Sequence, residues 1–216
     1  YLAAEVTALL TVAPKQVSVS GITVADKIYD GTISTTVDVS GAVINGLVSG
    51  DQVTLTVTGA FRGVHTGTDK TVDLITAYQG ADRVHYIITD QLTATAEITP
   101  KPVIVQGATE VNKTYDGTSI LPENSLGYVA PVGILEGDDV SLVGRPAYDS
   151  SQAGTRALVQ GTLALTGARA GNYLLDWQDG SGTIAKKNLF VVVRDDAKFV
   201  TMADEAGYKG VLFQGF

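Results

Sequence analysis

The sequence predicts an all-β protein built from two β-sandwich domains in tandem, and three observations support this prediction. The segment Lys-Ile-Tyr-Asp-Gly-Thr at 27–32 returns as Lys-Thr-Tyr-Asp-Gly-Thr at 113–118, 86 positions later. Apolar and polar residues alternate with the period of two that is typical of half-buried strands. The chain contains 24 glycines, and short β-branched runs alternate with turn residues, as in sandwiches. Because this period suffices for a small sandwich, we expect each copy to have its own core.

The strand predictions rest on alternation in three segments. In 52–58, Val53, Leu55 and Val57 share one face, whereas Thr and Gln side chains share the other. The segments 91–98 and 160–165 show the same period of two, and β-branched residues are frequent in all three. We therefore expect a strand at each of these places and no long helix in either copy.

Matches between the two copies set the predicted domain boundaries. Ile-Thr-Pro-Lys at 98–101 resembles Val-Ala-Pro-Lys at 12–15 and Ile-Ala-Lys-Lys at 184–187, so the same closing strand occurs three times. Residues 1–13 are then predicted to end an earlier copy, and the chain is expected to be part of a longer protein. The predicted domains are 14–100 and 101–187. Residues 188–216 are predicted either to begin a divergent module or to form an edge strand of the second domain.

Composition excludes several classes of function. The 15 basic and 23 acidic residues give a net charge of −8, which disfavours contact with nucleic acid and with anionic lipid. The chain has no cysteine, so it has no disulfides, thiolate metal sites or cysteine nucleophile. No apolar run approaches the about 20 residues that span a bilayer, and we expect no membrane insertion. This composition suits both the cytosol and a secreted bacterial protein.

The repeated hexapeptide is the main candidate site, and two interpretations compete for it. Tyr supplies an amphipathic ring, Asp accepts hydrogen bonds from nearby amides and Gly permits a positive φ, so the favoured interpretation is a structural turn. The alternative is a ligand-binding patch repeated along the chain. The residues concerned are Tyr29, Asp30, Gly31 and Thr32 in the first copy and Tyr115, Asp116, Gly117 and Thr118 in the second.

Other candidate sites have weaker support. His65 and His85 are the only histidines, and their counterparts are Gln152 and Asn172, so a metal site is disfavoured. The acidic pairs at 138–139 and 195–196 offer oxygen ligands for calcium, yet no Asp-x-Asp-x-Asp loop accompanies them, and turn-forming roles are favoured.

Trp177 and the serines also raise the question of binding or catalysis. Trp177 aligns with Asp90 and is predicted to pack in the core or at a domain junction rather than to stack on a sugar. No Gly-x-Ser-x-Gly segment occurs, and the chain offers few bases that could activate a serine. We therefore predict that the protein is not an enzyme and requires no cofactor.

These residues together resemble the YDG repeat, which occurs with the related MBG modules in very large bacterial adhesins and filamentous-haemagglutinin-like exoproteins. The Tyr-Asp-Gly-Thr pair, the Ile-Thr-Pro-Lys junction at 98–101 and Ala-Gly-Asn-Tyr at 170–173 carry the resemblance, and the tail from Leu189 is similar to an MBG opening. In the first copy Arg-Val-His-Tyr at 83–86 replaces Ala-Gly-Asn-Tyr, so we expect a different local turn there.

The resemblance implies an elongated array of immunoglobulin-like β-sandwiches on a secreted or cell-surface protein, often exported by two-partner secretion. It implies a non-catalytic stalk of an adhesin or biofilm-matrix protein that holds a distal binding region away from the cell. Partners would then be extracellular polysaccharide or a surface protein, reached through the parent adhesin, and the repeats themselves would be monomeric. The junction residues Pro100, Lys101 and Pro102 fit this role, because each proline fixes its own φ and restricts the residue before it.

Two further hypotheses for function remain open at the level of sequence. In one, the repeats themselves bind carbohydrate or a surface protein through exposed Tyr, Trp177 and Thr-rich faces. In the other, they form an accessory domain of an extracellular enzyme, because such enzymes often carry sandwiches.

Overall fold

The computed structural model describes residues 11–193 and 211–214, and its fold is all-β, which confirms the predicted class. Two single 3-10 turns, Arg83–His85 and Ala170–Asn172, are the only helical elements of this described part, so it contains no helix long enough to cross a membrane. The strands are β1 Lys15–Ser20, β2 Thr23–Val24, β3 Lys27–Ile28, β4 Val37–Asp38, β5 Val43–Asn45, β6 Thr54–Phe61, β7 Gly67–Gln79, β8 Tyr86–Thr89, β9 Thr93–Thr99, β10 Lys101–Gln106, β11 Val111–Thr114, β12 Ser141–Val143, β13 Ala147–Tyr148, β14 Gly154–Val159, β15 Ala164–Thr166, β16 Tyr173–Gln178, β17 Gly180–Ala185, β18 Phe190–Val193 and β19 Val211–Gln214.

Contacts between Cα atoms divide the chain into two compact units. Unit 1 contains residues 1–101 together with the short segments 135–138 and 171–174. Unit 2 contains the remaining residues. The division between Lys101 and Pro102 falls within one residue of the predicted boundary, but the two short segments of unit 1 come from the second sequence repeat.

Unit 1 is organised around a four-stranded sheet with the order β3-β9-β7-β6. Strand β3 pairs with β9 in parallel, with Lys27 opposite Ile98, and the other pairs are antiparallel. A three-stranded sheet with the order β5-β1-β8 and the short pair β2-β4 complete the unit. In β6 the threonines at 54, 56 and 58 are exposed and the apolar residues between them are half-buried, as the alternation predicted.

Unit 2 repeats this sheet with the order β11-β17-β14-β13. Here β11 pairs with β17 in parallel, and Lys113 lies opposite Ile184, so both partners occupy positions 86 residues after their counterparts in unit 1. Strands β14 and β17 are antiparallel, as are β13 and β14. The duplication in the sequence therefore extends to the register of the strands.

The long hairpin of unit 1 is interrupted in unit 2. Strands β6 and β7 pair without a break from Thr54 to Phe61, whereas the corresponding chain in unit 2 forms two separate pairs, β13-β14 and β12-β15. The continuous strand predicted over 160–165 is therefore wrong. Gly161 has φ +62°, and the Thr162 amide bonds the Arg145 carbonyl at 2.9 Å, so the chain turns before β15 begins.

Each unit buries a set of apolar side chains. In unit 1 the most deeply buried are Tyr29, Phe61, Val72 and Ile98. In unit 2 a cluster of Val111, Leu121, Tyr148, Leu158 and Ile184 forms the core, and Trp177 packs against it.

The predictions for the two ends of the chain fall largely outside the described residues. Of the closing strand predicted for 1–13, only residues 11–13 are described. In the segment 188–216, β18 and β19 pair with each other in an antiparallel two-stranded sheet. Whether this pair begins a divergent module or belongs to the second domain stays a prediction.

Candidate functional site

The repeated hexapeptide forms a turn that is centred on a lysine. In unit 1 the Lys27 ammonium donates to Asp30 Oδ1 at 2.7 Å, to the Thr32 carbonyl at 2.9 Å and to Thr32 Oγ1 at 3.2 Å, and it reaches the Ser34 carbonyl at 2.9 Å. It also lies 5.6 Å from the centroid of the Phe61 ring. Because an ammonium group has three protons, these oxygen atoms engage all of its donors.

The second copy reproduces this arrangement almost atom for atom. Lys113 Nζ lies 2.8 Å from Asp116 Oδ1, 2.8 Å from the Thr118 carbonyl and 2.9 Å from the Ile120 carbonyl. It stands 5.5 Å from the centroid of the Tyr148 ring, and its side chain is only 7% exposed. Strands β3 and β11 place these lysines, because each lysine is the next-to-last residue of its strand and the strand ends just before the turn.

The aspartate of each turn accepts hydrogen bonds from the threonine two residues later. Asp30 Oδ1 accepts from the Thr32 amide and hydroxyl, both at 2.9 Å, and Asp116 does the same with Thr118. Gly31 and Gly117 have φ of +76° and +82°, which a side chain would disfavour. These contacts are those of the structural turn that the sequence favoured.

The aspartates of both turns are held ionised. Partial burial acts to raise the pKa of Asp30, but hydrogen bonds from Lys27 and Thr32 outweigh it and lower that pKa below its usual value. For Asp116, hydrogen bonds from Lys113 and from the Thr118 amide and hydroxyl lower the pKa to about 2. An aspartate held in this way suits a permanent hydrogen-bond acceptor and not a general acid near neutral pH.

A tyrosine–aspartate pair is the second feature that occurs twice. In the first repeat the Tyr86 hydroxyl donates to Asp51 and accepts from the Val48 amide at 3.2 Å. In the second repeat the Tyr173 hydroxyl donates to Asp138 Oδ2 at 2.6 Å and accepts from the Leu135 amide at 3.1 Å. Each pair fastens the loop that contains the aspartate, which follows a glycine in both repeats, to the strand that begins at the tyrosine.

The Asp138 carboxylate also accepts a hydrogen bond from a tyrosine hydroxyl in the hexapeptide of the first repeat. This contact lies within unit 1. Tyr29 donates to Asp138 Oδ2 at 3.0 Å, and its ring meets Tyr173 edge to face, with centroids 5.4 Å apart. Two causes raise the pKa of Tyr173 to about 12: its burial, which is the larger, and its hydrogen bond to Asp138. This contact is not predictable from the sequence, because no local spacing links residues 29 and 138.

Each of the two histidines has nearby polar groups. His65 Nδ1 lies 3.2 Å from the buried side-chain amide of Asn172, and the Thr66 amide donates to Asn172 Oδ1 at the same distance. His85 Nδ1 is 3.7 Å from Asp82. His85 ends the 3-10 turn Arg83–His85, which matches the 3-10 turn Ala170–Asn172, so the different local turn expected at 83–86 is not found.

The acidic pair at 138–139 and Trp177 take structural roles. Asp138 accepts the tyrosine hydroxyls described above, and Asp139 Oδ2 accepts from the Ala168 amide at 3.0 Å. The Trp177 indole donates to the Leu158 carbonyl at 3.1 Å and packs on the core of unit 2. No group of three or more metal-binding side chains occurs within the described ranges, and the pair at 195–196 lies outside them.

The predicted junction lies between two strands. Strand β9 ends at Thr99 and β10 begins at Lys101, so Pro100 is the single residue between them, and Pro102 lies inside β10. Its stiffness stays a prediction.

The role of the lysine in the hexapeptide turn was not predicted from the sequence. A signal was present, because Lys27 and Lys113 precede Asp and Thr at the same three- and five-residue spacings in both copies. The aromatic residues whose rings lie beside these lysines, Phe61 and Tyr148, are 87 positions apart, one more than the 86 that separate the lysines.

A duplicated β domain closed by a lysine-centred turn is the class of protein that this fold and site define. Comparison with protein-family models matches the YDG domain twice, over residues 13–95 and 99–182. Because these matches cover most of the chain, the protein belongs to the YDG domain family. Searches among curated proteins and among solved structures returned no match.

Proposed function

We propose that the two YDG repeats are immunoglobulin-like β-sandwiches in tandem that act as a non-catalytic spacer. Their host would be an adhesin on a bacterial surface or in a biofilm matrix, secreted by a two-partner pathway, and the spacer would hold a distal binding region away from the cell. Polysaccharide or a surface protein would be bound by that distal region. Membership of the YDG family and the duplication of the whole domain support this proposal.

One observation carries the proposal: the charged groups of the repeated motif are engaged inside their own turn. The Lys27 and Lys113 ammonium groups each bond an aspartate, a threonine and a main-chain carbonyl. A lysine engaged in this way offers no proton or lone pair to a substrate, and the aspartate is already paired. Both copies of the motif make these same contacts within their own turn, and this supports a structural role for the motif.

Small-angle X-ray scattering of the purified chain at low micromolar concentration tests the spacer arrangement. A compact globule of 216 residues has a radius of gyration of about 17 Å, whereas two separate domains of half that size in line give about 22 Å or more. We expect a monomer with the larger value. A monomer near the smaller value would contradict the spacer proposal.

A glycan array separates the spacer proposal from the hypothesis that the repeats bind sugar. With its tryptophan packed on the core of unit 2, the chain should bind no glycan above the background of an unrelated β-sandwich protein. Dose-dependent binding that is reduced by Tyr115→Ala would favour the binding hypothesis instead.

A further inference from the structure

Tyr29 and Tyr115 occupy equivalent positions in the two turns but differ in exposure. Their main chains are alike: the Tyr29 amide bonds the Thr99 carbonyl at 2.9 Å, and the Tyr115 amide bonds the Ala185 carbonyl at 2.8 Å. Tyr29 is nevertheless 1% exposed and Tyr115 37% exposed. Since the turns are the same, the difference comes from what covers the ring.

The surface that covers Tyr29 within unit 1 comes from the segments 135–138 and 171–174. Asp138 accepts the Tyr29 hydroxyl, and Tyr173 packs against its ring. Leu135 lies beside the same turn, because a Cβ atom on Gly31 would stand 3.5 Å from Leu135 Cδ1. At Gly117, by contrast, a Cβ atom would have no neighbour within 4 Å in the described part of the chain.

The first repeat carries the same covering surface, and no tyrosine from another turn of the described chain is bonded to it. Asp51 and Val48 are the counterparts of Asp138 and Leu135 and keep the same bonds to a tyrosine hydroxyl. Val48 is 47% exposed, whereas Leu135 is half-buried. Among the described residues, Asp51 accepts a hydrogen bond from one tyrosine hydroxyl, whereas Asp138 accepts hydrogen bonds from two. The Tyr86 ring is itself buried, so what remains of this surface is the exposed Val48 and the half-buried Asp51.

We infer that the Tyr115 turn of one chain docks onto the Val48–Asp51 surface of a second copy, with the Tyr115 hydroxyl donating to Asp51. The docking would reproduce in trans the contact that Tyr29 makes with Asp138. Because the two surfaces differ, the contact is head to tail and leaves one unoccupied surface at each end. Copies therefore add in line, without a closed dimer. This inference does not depend on the spacer role.

The association is expected to be weak. A short covalent linkage supplies an effective concentration on the order of 1 mM, so a contact that forms within a chain needs a dissociation constant of only about that size. Sedimentation equilibrium from about 10 μM to about 2 mM covers the range. We expect the weight-average mass to rise steadily above the 22.5 kDa of one chain.

Two variants block the two surfaces separately. Tyr115→Ala removes the inserted ring, and Val48→Glu places a second negative charge beside Asp51 while leaving the Val48 amide bond to Tyr86. Each variant alone should stay monomeric throughout the range. A mixture of the two should reach twice the chain mass and no more, because one intact surface of each kind remains. Controls are Leu126→Ala and Ile75→Glu, which change other exposed apolar residues and should associate like the native chain.

Three results would overturn the inference. The first is a native chain that stays monomeric at about 2 mM, the top of the range set by the effective concentration. The second is association that persists in Tyr115→Ala or Val48→Glu. The third is a mixture that either does not associate or grows past the dimer. Thermal unfolding of each variant, with the same midpoint temperature as the native chain, shows separately that the variant is folded.

Discussion

Asp116 shows how one turn couples charge to stability at the scale of the residue. Its carboxylate accepts from Lys113 and Thr118, and these bonds lower its pKa to about 2 from an ordinary value of 3.8. A group whose pKa is lower in the folded protein stabilises the fold above its unfolded pKa. That stabilisation is lost as the pH falls from about 4 to about 2.

Asp116→Asn should therefore flatten the acid limb of the stability curve. We expect the native chain to lose stability between pH 4 and pH 2 more steeply than the variant, because the amide does not titrate. Urea unfolding followed by the fluorescence of Trp177, the one tryptophan, measures this difference in unit 2. Asp179→Asn, at an exposed position, is the control and should follow the native curve; a parallel curve for Asp116→Asn would contradict the assignment.

Tyr173 gives the opposite dependence at high pH. Burial and its bond to Asp138 raise the pKa of Tyr173 to about 12, so the stabilisation is complete below pH 10 and is lost as the pH rises through about 12. The absorbance of tyrosinate near 295 nm, native chain minus Tyr173→Phe, should therefore show a titration near pH 12. A difference titration near pH 10 would show that the hydroxyl is neither buried nor bonded.

At the scale of the element, strand β17 depends on a glycine that its counterpart lacks. Gly182 pairs with Val111 in the parallel ladder, and a Cβ atom there would overlap the Val111 carbonyl oxygen and approach Tyr148. The equivalent residue in β9 is Ala96, and there the parallel pairing begins only at Lys27. The longer contact between β11 and β17 therefore requires the absence of a side chain at 182.

Gly182→Ala should destabilise unit 2 by about 2–3 kcal/mol, as overpacking of a close backbone contact does. The fluorescence of Trp177 during urea unfolding reports the change. Gly171→Ala is the matched control, because a Cβ atom there meets nothing within 4 Å, and its effect should stay within about 0.5 kcal/mol. Equal stabilities for the two variants would contradict the packing argument.

At the scale of the whole molecule, the sequence predicted the features that depend on local pattern. The alternation in 52–58 gave the correct faces of β6, because the faces of a strand follow from residues close in the chain. The bond from the Thr32 amide to Asp30 is local in the same way. The break in 160–165 was missed, since Gly161 and the Thr162 bond to Arg145 depend on a partner 17 residues away. The burial of Tyr29 on Asp138 was missed for the same reason, at a separation of 109 residues.

The central claim is that the repeated motif stabilises its own domain through its lysine. Equilibrium unfolding in urea of Lys27→Met, Lys113→Met and the control Lys187→Met, whose lysine is exposed, tests it most directly. Losing the charge-assisted bonds should cost about 2 kcal/mol in each turn. Lys113→Met should shift the Trp177 fluorescence transition by that amount, and Lys27→Met should shift the transition seen by circular dichroism. Lysine variants that unfold like Lys187→Met, within about 0.5 kcal/mol of the native chain, would contradict the claim.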